Sequence, residues 1–148
     1  MDLVIRNGTV VTAGDIAQAD VGIEAGKVKQ IGQGLGPAAK EIDATNKYLF
    51  PGGVDVHTHV DVELLGHQSV DDFYSGTVAA ACGGVTTIVD YALPEPGQSI
   101  QANVEAWQKK AQDKTVIDYG IHPAILDPTQ QIIDEMADAV AEGQPYEL

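Results

Sequence analysis

His57 and His59 stand one residue apart in Pro51-Gly-Gly-Val-Asp-Val-His57-Thr-His59, at the end of a short apolar run. Side chains along a strand alternate with period 2, so both imidazoles project from one face. Two neutral imidazoles on one face make half a site for a transition metal, and imidazole suits zinc and its neighbours. They do not complete a catalytic centre. A catalytic zinc takes three protein ligands and keeps one position open, and a two-metal site needs a bridging anion as well. The remaining ligands must come from elsewhere.

Such a pair needs a buried strand to carry it, and the chain supplies strands alternating with helices. Val54 to His59 reads as the first strand. Ser69, with Asp72 three residues on, reads as the cap of a helix over 70–82 that Gly83-Gly84 stops. Val85 to Asp90 is a β-branched second strand. Ser99 caps a helix with Ile100, Val104, Trp107 and Ala111 on one face. Val116 to His122 is a third strand. Asp127-Pro128 then opens a helix that buries Ile132, Ile133, Met136, Ala137 and Val140 and ends at Gly143. Strand and helix in alternation predict βα units on a parallel sheet, hence an α/β fold. A closed eight-unit barrel takes about 250 residues. A chain of 148 holds three units at most, and an outer strand without its neighbour invites aggregation.

Residues 1–50 read differently, as short β-strands. Asn7-Gly8 predicts a type I′ hairpin between Leu3-Val-Ile-Arg and Thr9-Val-Val-Thr, and Ala25-Gly26 predicts a second hairpin. Glu41-Ile-Asp and Tyr48-Leu-Phe add short strands to a sheet or half-sandwich without a ligand cluster.

In parallel α/β folds the functional groups gather at the carboxyl ends of the strands. That places His57, His59 and Asp61 after the first strand, Asp90 and Tyr91 after the second, and His122 after the third. Asp61 either orients an imidazole or caps its loop, and Asp90 leaves the same choice. His122 either supports the metal site from behind or packs as a hydrogen-bonded core histidine. His67 reads as a solvated loop residue. Asp55 shares parity with the two histidines and reads as an interior hydrogen-bonding group, not a ligand. Cys82, at an apolar helix end, reads as a buried structural thiol.

The chain is globular by composition, with 44% apolar and 20% charged residues. A net charge of −14 excludes nucleic acid and anionic membranes as partners. No Lys or Arg lies between Lys47 and Lys109, so the segment holding His57, His59 and His67 has no fixed positive charge of its own. The single cysteine allows no intrachain disulfide, and there is no signal peptide and no membrane-length apolar run. A cytoplasmic protein is expected.

Several segments together resemble the cyclic amidohydrolases. They are Leu3 to Thr12, Ile42-Asp-Ala-Thr, Pro51 to Asp61, Asp72-Phe-Tyr-Ser-Gly-Thr, Gly83-Gly-Val-Thr-Thr-Ile and Val116-Ile-Asp-Tyr-Gly. Within that family they are most similar to the dihydropyrimidinase and D-hydantoinase group, in order over residues 1 to about 143. The resemblance implies a β-sandwich built partly from residues 1–50, and the first three units of a (β/α)8 barrel over 51–143. It implies that His57 and His59 bind the more buried of two metals, usually zinc. A carboxylated lysine would bridge the metals, with later histidines and an aspartate completing the site. The loop from Val62 to Val70 would wall the substrate pocket, with Leu64 and Leu65 touching the ring substituent. Dihydroorotases resemble His-x-His-x-Arg here, the arginine binding a substrate carboxylate. Asp61 takes that place in this chain, so a neutral hydantoin or dihydropyrimidine fits better. The family habit is a homotetramer.

The pattern breaks after Glu142-Gly143. The family continues to Ser-Phe-Lys, and by direct count its bridging lysine falls near Leu148. Residues 144–148 therefore read as an atypical tail of truncation or frameshift origin. No catalytic residue is expected within the chain, and 1–148 alone is expected to be inactive. The alternatives are a non-catalytic relative that works by assembly, or another metal-dependent barrel hydrolase such as an allantoinase.

Overall fold

The structure, a computed structural model, describes residues 1–141. It divides into two compact units, Met1–Pro51 and the part from Gly52 on.

The first unit is one mixed sheet of β1 (Leu3–Val11), β2 (Ile16–Glu24), β3 (Lys27–Gly32), β4 (Lys40–Asp43) and β5 (Tyr48–Leu49). The order is β3-β2-β1-β4, with β5 also on β1. β1 runs antiparallel to β2 and parallel to β4 and β5. Val10, Ala19 and Val21 form its buried centre. The hairpin expected at Ala25-Gly26 is present, with positive φ at both residues (50° and 73°), as a type I′ turn requires.

The hairpin expected at Asn7-Gly8 is absent. Only Asn7 has positive φ (61°), whereas the turn needs it at both central residues. β1 runs straight through, and the register jumps from Ile5↔Val21 to Gly8↔Ala19, a β-bulge. Asp20 holds the bulge by accepting the Asn7 N–H at 3.0 Å and an Arg6 N–H at 3.3 Å. Arg6 also donates to the Leu35 carbonyl at 2.9 Å and to Glu41. The hairpin turn lies instead at Thr12–Asp15.

These bonds hold two carboxyls below the usual carboxylate range. For Asp20 the main cause is the Asn7 N–H, and for Glu41 it is the Arg6 guanidinium. A depressed folded value means that the unfolded chain takes up protons first as the pH falls. The stabilisation is complete above the ordinary carboxylate range, about pH 4, and is lost below it as each group protonates in the folded state. Urea midpoints of the first unit should therefore drop between pH 6 and pH 2.5. Asp20→Asn should flatten that drop, and an unchanged pH slope would contradict the bulge account.

The second unit contains β6 (Gly53–Thr58), a hairpin of β7 (Glu63–Leu64) and β8 (His67–Gln68), α1 (Phe73–Cys82), β9 (Val85–Ala92), α2 (Ile100–Ala111), β10 (Asp118–Pro123) and α3 (Gln130–Ala141). β6, β9 and β10 form a parallel sheet in the order β10-β9-β6, as strand–helix alternation predicts. The core beside it joins Val62, Phe73, Ala92, Ile100, Val104, Trp107, Ala111 and Ile121.

Four expectations are corrected here. First, α1 starts at Phe73: Asp72 is its N-cap and Ser75 completes the capping box. Ser69 instead accepts the Val62 N–H and ties the preceding loop. Second, α3 begins after Thr129, whose Oγ1 accepts the Ile132 N–H, and not after Asp127. It packs Ile132, Met136 and Ala139 against the core, while Ile133, Ala137 and Val140 are exposed. Third, Cys82 is exposed. Fourth, β6 is not a buried strand. Val54 and Val56 are 61% and 52% exposed, because β6 is the sheet edge. The expected helix stop at Gly143 and the tail at 144–148 lie outside the described residues. Among the described residues, no helix is long and apolar enough to cross a membrane.

Candidate metal centre

The carboxyl end of β6 carries the histidine pair. Asp55 pairs with Ile88 of β9 and Thr58 with Asp90, so β6 holds one extra residue between those points. Bulges of this kind re-aim side chains next to functional sites. The His57 N–H freed by the bulge donates to Asp55 Oδ1 at 3.2 Å. Asp55 is thus bonded to the strand's own backbone.

Both imidazoles are exposed, and their Nε2 atoms lie 3.2 Å apart. Zinc–nitrogen bonds of about 2.0–2.1 Å at a tetrahedral angle put two ligand nitrogens roughly 3.3 Å apart. The spacing of the pair, here bridged by a hydrogen bond between the two nitrogens, matches that of two corners of a zinc tetrahedron. No group of three or more His, Cys, Asp or Glu converges as a metal cage among the described residues. The two imidazoles do lie together on one face, as the i, i+2 spacing implied.

Tyr91, at the end of β9, lies against the pair. Its ring centroid is 4.3 Å from that of His57 and 5.6 Å from that of His59. His122, at the end of β10, meets Tyr91 edge-on at 5.3 Å. His122 is 5% exposed, and its Nδ1 has no hydrogen-bond partner among the described residues. The structure thus gathers three histidines around one tyrosine, but His122 reaches the pair only through that ring.

Asp90 is fully buried. Its Oδ1 accepts from Thr58 Oγ1 at 2.9 Å and from the Val60 N–H at 2.8 Å, and its Oδ2 accepts from Trp107 Nε1 at 3.0 Å. Burial pushes its carboxyl above the usual range, against the pull of those bonds.

Asp61 makes no hydrogen bond to either imidazole among the described residues. Its carboxylate lies 3.7 Å from Lys114 Nζ, its carbonyl accepts from Lys110 Nζ at 3.0 Å, and its backbone has φ 50°. Of the two readings of Asp61, the geometry matches the loop-fixing one. Lys110 also stacks over Trp107, 4.0 Å from the ring centre. The positive charge missing from the local sequence thus arrives from α2 and its C-terminal flank.

Leu64 and Leu65 sit on the β7–β8 hairpin, whose turn places Leu65 and Gly66 at positive φ (54° and 77°). Leu65 is 90% exposed and Leu64 46%, an apolar tip projecting into solvent. His67, on β8, is exposed, in line with a solvated residue. The part played by Trp107 escaped the sequence reading, which placed it only on a core face. The available signal was chemical: a buried indole N–H needs an acceptor.

Parallel strands alternating with helices, with a histidine pair at the carboxyl end of one strand, define the class, an α/β domain. Known proteins sharpen it. No protein-family model matches the chain. It is 52% identical over 136 residues to a D-hydantoinase of Ralstonia pickettii, covering 92% of this chain and 30% of that protein. It is 46% identical over 143 residues to a D-hydantoinase of Geobacillus stearothermophilus, covering 96% of this chain and 30% of that protein. The solved dihydropyrimidinase of Brevibacillus agri NCHU1002 matches with a TM-score of 0.93 at 46% identity, over 97% of this chain and 32% of that one. Over nearly its whole length the chain is homologous to proteins named D-hydantoinase and dihydropyrimidinase. It spans about 30% of the length of these curated relatives.

Proposed function

We propose that this chain forms the N-terminal part of a metal-dependent hydrolase that opens the ring amide of hydantoins or dihydropyrimidines. The observation that carries the reading is the 3.2 Å separation of the His57 and His59 Nε2 atoms at the carboxyl end of a parallel strand. In this reading the two imidazoles hold zinc, the more buried of two metals, with a carboxylated lysine and the other ligands supplied from beyond the described residues. Bound metal would supply a hydroxide near neutral pH and polarise the scissile carbonyl. The residues of this chain then do three things. His57 and His59 fix the metal's place, Tyr91 covers one side of the pair, and the Leu64–Leu65 tip receives the ring substituent. The lack of an arginine beside the pair, with Asp61 held by Lys114, favours a neutral ring over a carboxylate-bearing one. A closed (β/α)8 barrel and a cytoplasmic homotetramer extend the same reading to the whole protein.

The test is a chimera. Residues 1–141 of this chain replace the aligned segment of the Ralstonia pickettii relative, and turnover is measured on a 5-substituted hydantoin, dihydrouracil and dihydroorotate. Hydrolysis of the neutral rings, with dihydroorotate spared, is expected. The 148-residue chain alone should turn over none of them. A folded, metal-loaded chimera that hydrolyses only dihydroorotate would overturn the assignment.

A further inference from the structure

The metal reading leaves open what holds the pair in register on an exposed edge strand. His57 and His59 are themselves exposed, so packing does not fix their backbone. The segment 57–60 is fixed by hydrogen bonds instead. Asp90 accepts on both sides of His59, from the Thr58 hydroxyl at 2.9 Å and from the Val60 N–H at 2.8 Å. Its other oxygen takes the Trp107 N–H at 3.0 Å, and Trp107 belongs to the buried core. The Val89 carbonyl, on the same strand as Asp90, lies 3.2 Å from the Thr58 hydroxyl and shares its single proton with Asp90.

We propose that Asp90 is the positioning residue of the metal site, bracing the His57-Thr58-His59-Val60 segment against the Trp107 indole, with no hydrogen bond to either imidazole. The inference rests on the metal reading above and adds to it the device that holds the pair. Three donors converge on one buried carboxylate, which therefore has little freedom to move. The edge strand borrows its order from the core through that group. Outer partners of metal ligands usually bond the imidazole itself. Here the bonds go to the backbone and hydroxyl that flank it.

The test uses the 148-residue chain and two readouts. One is hydrogen exchange at the Val60 amide without metal. The other is zinc affinity by competition with a chromophoric chelator, with cobalt absorption as a check on geometry. Asp90→Ala should speed exchange at Val60 and weaken zinc by roughly tenfold or more. Thr58→Val removes one donor with little change in shape and should weaken zinc about threefold. Asp90→Asn keeps an acceptor for Val60 but sets its amide N–H against the indole N–H, and it should weaken zinc too. Adding Trp107→Phe to Asp90→Asn removes that clash and should recover affinity, a rescue that a purely structural role does not predict. If Asp90→Ala does not fold, Thr58→Val and the double variant decide the question. Zinc affinity unchanged in Thr58→Val and Asp90→Asn, with Val60 exchange also unchanged, overturns the proposal. If the wild-type chain binds no zinc at the histidines, the metal reading fails, and the Val60 exchange still decides whether Asp90 braces the segment.

Discussion

Replacing His57 or His59 by alanine should weaken zinc binding by the chain about 100-fold, and replacing both should abolish it. Apparent free energies of roughly 10–16 kcal/mol for four-ligand structural zinc sites give about 3 kcal/mol per ligand, or about 100-fold each. The Nε2 atoms stand 3.2 Å apart, a spacing that suits two ligands of one metal. Both rings are exposed, so the substitutions should leave the core intact. Titration calorimetry with circular dichroism on the same samples measures both effects. Undiminished zinc binding in the double variant would remove the pair from the site.

Phe73→Ala should cost about 3–5 kcal/mol, as truncation of a fully buried phenylalanine does. Phe73 has no exposed surface and joins Val62, Ile100, Val104 and Trp107 in one cluster. It is also the first residue of α1, directly after the Asp72 cap. Its loss therefore removes packing where the loop bearing Leu64 and Leu65 returns to the sheet. Against a domain stability of about 5–15 kcal/mol, this is a large share. Trp107 is the only tryptophan of the chain and lies in that cluster, so its fluorescence reports the second unit alone. The urea midpoint followed by tryptophan should fall sharply. The first unit has its own centre at Val10, Ala19 and Val21 and should unfold as before. A change of under about 1 kcal/mol would show that the core is not organised around Phe73.

Much of the second unit was legible because its signals are local. Apolar runs of β-branched residues marked β6, β9 and β10, and Ser99 with the face Ile100, Val104, Trp107 and Ala111 marked the cap and the buried side of α2. Local signals failed where two of them overlapped. Ser69, Asp72 and Ser75 all offer caps, and Asp72 won because Ser75 returns the second bond of the capping box while Ser69 serves the loop. Asn7-Gly8 carried a hairpin signal, but Asp20, thirteen residues on, captured the Asn7 N–H and made a bulge.

The placement of His57 and His59 on one face was legible from spacing alone, whereas their surroundings were not. Asp61 meets Lys110 and Lys114 about fifty residues away, and Asp90 meets Trp107 on the next helix. Such partners depend on how α2 docks against the sheet, which no short motif encodes. The exposure of Cys82, Ile133 and Val140 has the same origin. An apolar pattern shows that a face is suited to burial, and the neighbours present decide whether it is buried.

The most direct test of the account is zinc X-ray absorption on the chain loaded with one metal per chain. The account predicts two imidazole nitrogens in the first shell at about 2.0–2.1 Å, with both signals lost in the double alanine variant. A first shell of oxygen alone, or one that the double substitution leaves unchanged, would contradict it.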